Sequence, residues 1–315
     1  MSNNLTNDQK KQLSELEPKL REALKAVDYK EAEKITAEIQ ALLRPTGHET
    51  RLMQAKNILF ETAMEASKLE TAILGFIGVR KKVSKTSRLY LEATALLAIC
   101  YLRKVDFSSA KPFMEEALLC EKNIKSDDSR AKFKLGLAKR FDDEALLASL
   151  AFQENSSPLT DIEMIQADAG NLVYSKNEDE LYSLLGSSVS DYALGFISNV
   201  RETSLRCLTY EERKKLPPPS KERREIGKSV FSAVNRVIWR SLCDKKSDVY
   251  KMWFTNGFQA VLDKKYLTTA IVAALNEFKA GVYAIAVYVT ALVIKLGIEV
   301  FCEIYKPQSL MSLRR

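Results

Sequence analysis

Histidine is almost absent: the chain has one, His48, in 315 residues. That excludes a multi-histidine zinc site or a two-histidine acid–base pair, and leaves a single candidate for any Ser–His or Cys–His scheme. His48 stands beside Glu49 and between Arg44 and Arg51, but no nucleophile lies at a diagnostic spacing, so a structural or surface role is the better reading. Glycine (11) and proline (8) are also scarce, which disfavours a sandwich or propeller, where every strand reversal needs turn residues. Neither GxxxxGK[ST] nor GxGxxG occurs, so neither familiar nucleotide-binding loop is present. The five cysteines form no CxxC pair, and their odd number in apolar helical stretches does not suggest a disulfide framework; a reducing compartment is expected. The opening segment, MSNNLTNDQKKQLSELEPKL, has no apolar core of the kind a secretory signal needs, so a cytoplasmic location is expected. What is present is 46% hydrophobic and 28% charged residues, enough for a sizeable core and about two domains.

An internal repeat comes next. AVDYKEAEKITAEIQ, EASKLETAILGFIGV and LRKVDFSSAKPFMEEAL each place an apolar residue three positions before an alanine, as Tyr29/Ala32, Leu69/Ala72 and Phe107/Ala110, with offsets of 40 and 38 residues. Helical stretches precede them, at 12–25, 55–67 and 89–104, and each alanine opens a second one, so the unit is a helical hairpin. In the third unit Leu97, Ala98, Tyr101, Ala110, Met114 and Ala117 fall at the large, small, aromatic, small, large and small packing positions of a hairpin repeat. The segment resembles the tetratricopeptide (TPR) repeat family. Leu59, Phe60, Ala63, Ala72, Phe76 and Val79 take the same slots in the second unit, with Phe60 where the family has a small residue and Ala63 where it has an aromatic. The resemblance implies stacked hairpins and a face that grips a protein or peptide partner. The period exceeds the about 34 residues typical of such repeats. DSRAKFKLGLAKRFDDEALLASLAF reads as a further capped helical stretch, with Ser129 near its start, that would open a fourth hairpin whose turn is not assigned.

Beyond the polar break at 155–159 come further short amphipathic helices, and then Pro217, Pro218 and Pro219, which no helix can cross. The expected division is 1–155 for the repeats, 156–216 for a helical connecting region and 217–315 for a C-terminal helical region. The last ends in an apolar helical hairpin, 267–278 and 281–301. From Ala280 to Ile294 there are 15 uncharged residues, short of the about 18 a spanning helix needs, and Lys295, Glu299 and Glu303 follow as a charge ladder on one helix face. A buried core helix is the favoured reading, and a latent membrane hairpin over 267–301 is the alternative.

Charge is uneven: between Arg201 and Arg240 there are 11 Lys or Arg against 5 Glu. Arg213, Lys214, Lys215, Lys221, Arg223, Arg224 and Lys228 flank the prolines and form a candidate contact for anions or an anionic membrane surface, against a plain solvated linker. Nucleic acid is disfavoured because no aromatic residues interleave for stacking. Asp142, Asp143 and Glu144 lack the glycine of a calcium loop and read as helix-surface charges. The expectation is therefore an all-α, non-enzymatic interaction or regulatory protein with no cofactor, metal or catalytic residues. Its alternative is a membrane-acting effector with conditional membrane association.

Overall fold

The computed structural model describes residues 4–120, 123–151, 160–216, 222–245, 247–257, 262, 265–277 and 282–306. Among them the regular elements are α-helices, with no strand, so the chain is all-α as expected. It divides into two compact units: Met1–Leu137 with Arg206–Leu208, and Ala138–Leu205 with Thr209–Arg315.

The first unit opens with α1 (Asn7–Ala26), begun by a capping box in which the Thr6 side chain accepts from the Gln9 amide and Gln9 returns the bond. Next come α2 (Tyr29–Leu43), α3 (Glu49–Glu65), α4 (Leu69–Lys82), α5 (Arg88–Arg103) and α6 (Phe107–Leu119). The second helix of each pair starts three residues before the alanine expected to open it, on the apolar residue itself. One turn recurs in all three pairs. Val27, Ser67 and Val105 adopt left-handed φ values of 55°, 58° and 56°. The next amide in each case, of Asp28, Lys68 or Asp106, donates back to Ala23, Ala63 or Tyr101, which ties off a helix-end carbonyl.

The turns differ in how they start the second helix. Asp28 and Asp106 accept hydrogen bonds from the amides of Glu31 and Ser109, whereas Lys68 caps nothing. Replacing Lys68 with aspartate is therefore expected to stabilise the protein by about 1 kcal/mol, the usual worth of such a cap. Urea unfolding of the two proteins measures it.

Within this unit α1 packs on α2, α3 on α4 and α5 on α6, while α1 also touches α3, and α3 touches α5. A fourth hairpin is not found. α7 (Asp127–Ala151) is a single 25-residue helix with no turn inside it, and Ala138 onward belongs to the second unit.

The second unit continues with α8 (Ile162–Ser175), α9 (Glu178–Ser187), α10 (Asp191–Arg206), α11 (Tyr210–Arg213), α12 (Arg223–Cys243) and α13 (Asp248–Asn256). It ends with α14 (Tyr266–Glu277), α15 (Tyr283–Leu296) and α16 (Ile298–Ile304). α12 lies against α9 on one side and α14 on another, and Val230, Phe231, Val234 and Ile238 enter the core. At the α9–α12 crossing the backbones meet: a Cβ on Gly186 would lie 1.8 Å from the Arg223 carbonyl oxygen, and one on Gly227 1.8 Å from that of Tyr182. Only glycine allows this approach.

The apolar C-terminal segment is core here. Ile285, Val289 and Leu292 of α15 are fully buried against α8, α9 and α14. The single helix expected over 281–301 is instead broken at Gly297 (φ 78°), and α15 and α16 meet at a 97° bend. The expected charge ladder is broken with it: Lys295 donates to the Val173 carbonyl at 2.9 Å, while Glu299 and Glu303 are exposed on α16. No single helix among the described residues is long and apolar enough to cross a membrane.

Candidate interaction surfaces

All the residues assigned to hairpin packing are buried except Phe60 and Tyr101, which are half-buried. Phe60, the residue out of pattern, has its counterpart in Gly75: a Cβ there would lie 2.2 Å from the Phe60 ring. Aligned on the turns, Phe60 corresponds to Ala98, and Gly75 to Phe113. The second hairpin thus has its bulk on the first helix and the third on the second helix, so one interface volume is filled from opposite sides. The Phe60 ring meets Phe76 edge-on at 6.2 Å, and Phe113 stacks on Tyr101 at 5.7 Å.

The aligned turns also define one row along the first helices: Ser14, Glu17 and Arg21 on α1; Gln54, Asn57 and Glu61 on α3; Glu92, Ala95 and Ile99 on α5. Exposure falls along that series. Ser14, Arg21 and Gln54 are exposed; Asn57 and Glu61 are buried; and on α5 every residue from Leu89 to Cys100 is buried. The α5 portion of any groove is therefore already covered, and the open portion is polar. Neighbouring first helices are stitched across the row, Arg51 to Glu17 at 2.6 Å, and Arg103 to both Glu65 carboxylate oxygens at 3.0 and 3.1 Å.

A second device was not read from the sequence. Arg80 of α4 lies between the rings of Tyr90 (4.8 Å) and Phe113 (4.9 Å). It donates to the Tyr90 hydroxyl at 2.8 Å and to Glu116 at 2.6 Å, while Tyr90 donates to Glu116 at 2.6 Å. Burial, together with the Glu116 carboxylate that accepts its proton, raises the Tyr90 pKa. This clamp joins one hairpin to the next through a planar cation, a use suited to arginine rather than lysine.

The basic segment is partly neutralised. Lys214 pairs with Glu211, Arg224 with Asp179 and Glu225, and Lys228 with Glu225. Arg213, Lys215 and Arg223 are exposed, and Lys221 lies outside the described residues. His48 precedes α3, with its Nδ1 2.9 Å from the Thr46 hydroxyl, and makes no side-chain cap.

The acidic run on α7 corrects the surface reading. Glu144 is fully buried and pairs with Arg140 and Arg236, both at 2.9 Å, while Asp142 pairs with Arg201 at 2.9 Å. α10 brings Arg201 to Asp142 and α12 brings Arg236 to Glu144, two long-range pairings, while Arg140 reaches Glu144 from one turn earlier on α7. Burial raises the Asp142 pKa to about 7, against the lowering effect of Arg201, and that of Asp143 to about 6. A carboxyl with a raised folded-state pKa binds its proton more tightly folded than unfolded. Stability from these groups is thus complete below about pH 4 and lost as pH rises towards 7. Asp142→Asn is expected to flatten the stability profile between those limits, as read by thermal unfolding at stepped pH. No group of His, Cys, Asp and Glu among the described residues forms a metal site.

The cysteines supply the other correction. Cys243 at the end of α12 and Cys302 on α16 form a disulfide, with Cα atoms 5.4 Å apart, whereas Cys100, Cys120 and Cys207 are free thiols. With the two cysteines 59 positions apart and no motif at either, this pairing had no sequence signal.

No family model, curated protein or solved structure matches this chain.

Proposed function

We propose that this chain is a non-enzymatic adaptor or regulatory protein whose first unit is a TPR-like set of three hairpins binding a protein or peptide partner. The observation that carries the reading is the recurrence of one turn at Val27, Ser67 and Val105, with the same left-handed residue and the same back-donated hydrogen bond. Such repetition builds a scaffold whose first helices lie side by side and present a row of side chains to an extended segment. The partner engages the α1–α3 end, where Ser14, Arg21 and Gln54 are exposed, and not α5, whose row is covered. Polar pairing, rather than an apolar anchor, sets its specificity.

The test is affinity capture from a native extract with the full-length protein and its Arg21→Glu, Gln54→Arg double variant, both checked for helicity by circular dichroism. A partner held by the original protein and lost by the variant is the expected result. A partner held equally by both overturns the assignment of the face.

A second reading, a membrane-acting effector, is favoured by one observation: α15 and α16 together have the length and apolar composition of a span, though bent at Gly297. In this reading the C-terminal hairpin stays packed until released, then enters an anionic bilayer. Leakage of dye from anionic liposomes tests it, and no leakage under any releasing condition excludes it.

A further inference from the structure

We propose that the Cys243–Cys302 bond is a site of thiol–disulfide exchange, and that its reduction frees α16 from its seat on α12. The use of that release rests on the second reading above.

The bond's position carries the argument. α13, α14 and α15 all lie between the two cysteines, so one covalent link closes the entire apolar segment onto the end of α12. α16 has seven residues, too few to persist as a helix by itself, since isolated helices shorter than about 12 residues are marginal in water. Its non-covalent seat includes a hydrogen bond between the Tyr305 and Tyr182 side chains. Ile298 and Phe301 are buried, Phe301 and Tyr305 meet the Phe231 ring at 6.3 and 5.4 Å, and the Trp239 indole donates to the Cys302 carbonyl at 3.0 Å. Its other side is open to water: Val300 is 46% exposed and Ile304 63%. The disulfide is the one covalent element in this contact.

Cys243 is buried and Cys302 half-buried, so the attack is assigned to Cys302. A thiolate of a dithiol reductant attacks Cys302 Sγ, the Sγ–Sγ bond breaks, and Cys243 leaves as a thiolate and takes up a proton. The reductant's second thiolate then attacks the mixed disulfide and releases Cys302. Two electrons and two protons pass to the protein, and the reductant ends as its own disulfide. The free thiols interfere little: burial raises the pKa of both Cys120 and Cys207, which lowers their thiolate fraction.

Release changes what α15 and α16 can form. The 97° bend rests on Gly297 at φ 78°, a residue equally able to adopt helical angles. Straightened, Tyr283–Ile304 is about 33 Å long at 1.5 Å per residue, against a hydrocarbon core of about 30 Å. Lys295 and Glu299 then stand four residues apart on one continuous helix, where they pair with each other.

The experiment uses the full-length protein, air-oxidised or treated with dithiothreitol, with hydrogen exchange followed by mass spectrometry and thiols counted under denaturant. Three reactive thiols before treatment and five after are expected, with amide exchange over 298–306 at least tenfold faster on reduction and α9 unchanged. Cys302→Ser should show the fast exchange without reductant; if that variant misfolds, the reductant titration of the original protein decides alone. Five thiols in the oxidised protein, or exchange over 298–306 unaltered by reduction, overturns the proposal. Flotation with phosphatidylglycerol vesicles separates the two ideas. Vesicle binding by the reduced form alone supports both, whereas release of α16 without vesicle binding upholds the exchange site and overturns the membrane reading.

Discussion

Gly227→Ala should destabilise the second unit by about 3 kcal/mol, although alanine is the better helix former by about 1 kcal/mol. The added carbon would lie 1.8 Å from the Tyr182 carbonyl oxygen and 2.7 Å from its carbon, and both are backbone atoms that no rotamer change can move. The two helices must separate, and Tyr182, Leu185, Val230 and Phe231 lose part of their packing as they do. Gly186→Ala meets the Arg223 backbone in the same way and should cost a similar amount. Gly78 is the internal control. It lies on α4, where an added Cβ would find nothing within 4 Å, so Gly78→Ala should raise stability by up to about 1 kcal/mol. Chemical denaturation of the three variants decides the matter. Equal effects at Gly227 and Gly78 would falsify the close backbone crossing.

The second large effect is in the hairpins. Gly75→Phe should cost about 3 kcal/mol or more because its ring must share the space of Phe60, and Phe60→Ala about 3 kcal/mol because it leaves a cavity. Together the two substitutions reproduce the third hairpin's arrangement of Ala98 and Phe113, so the double variant should recover about 2 kcal/mol relative to the sum of the singles. That recovery is the coupling energy of a double-mutant cycle. Simple additivity would show that the two positions fill separate spaces and would remove a main support for reading the hairpins as one repeated unit.

Much of the first unit was legible because its signal is local. Alanines at Ala32, Ala72 and Ala110, each with an apolar residue three positions earlier, mark helix starts whatever the rest of the chain does. The turn residues were not legible. Valine is a poor candidate for a left-handed φ, and Val27 and Val105 hold it because the helices on either side fix both ends of the turn. The pairing of Phe60 with Gly75 left only a misfit in the sequence, the large residue in a small slot. Its explanation lay one helix away.

In the second unit the failures share a cause. Glu144 has a local partner in Arg140, one turn earlier, but its second, Arg236, lies 92 residues on, and the disulfide depends on a contact between α12 and α16; neither long-range pairing has a periodicity to betray it. Gly297 did carry a signal, a glycine within an apolar helical run, but glycine is tolerated often enough in helices that the break needed the packed structure to show itself. Of the surfaces, the basic segment was legible as charge, while its partial neutralisation by Asp179 came from another helix.

The enclosure of α5 has an outcome of its own. A helix with no wet side from Leu89 to Cys100 has no position at which a substitution is free, so each change there must be answered by a neighbour. Its amides should be the last in the first unit to trade protons with the solvent, and drift in sequence should gather on α1, where water is the commonest neighbour.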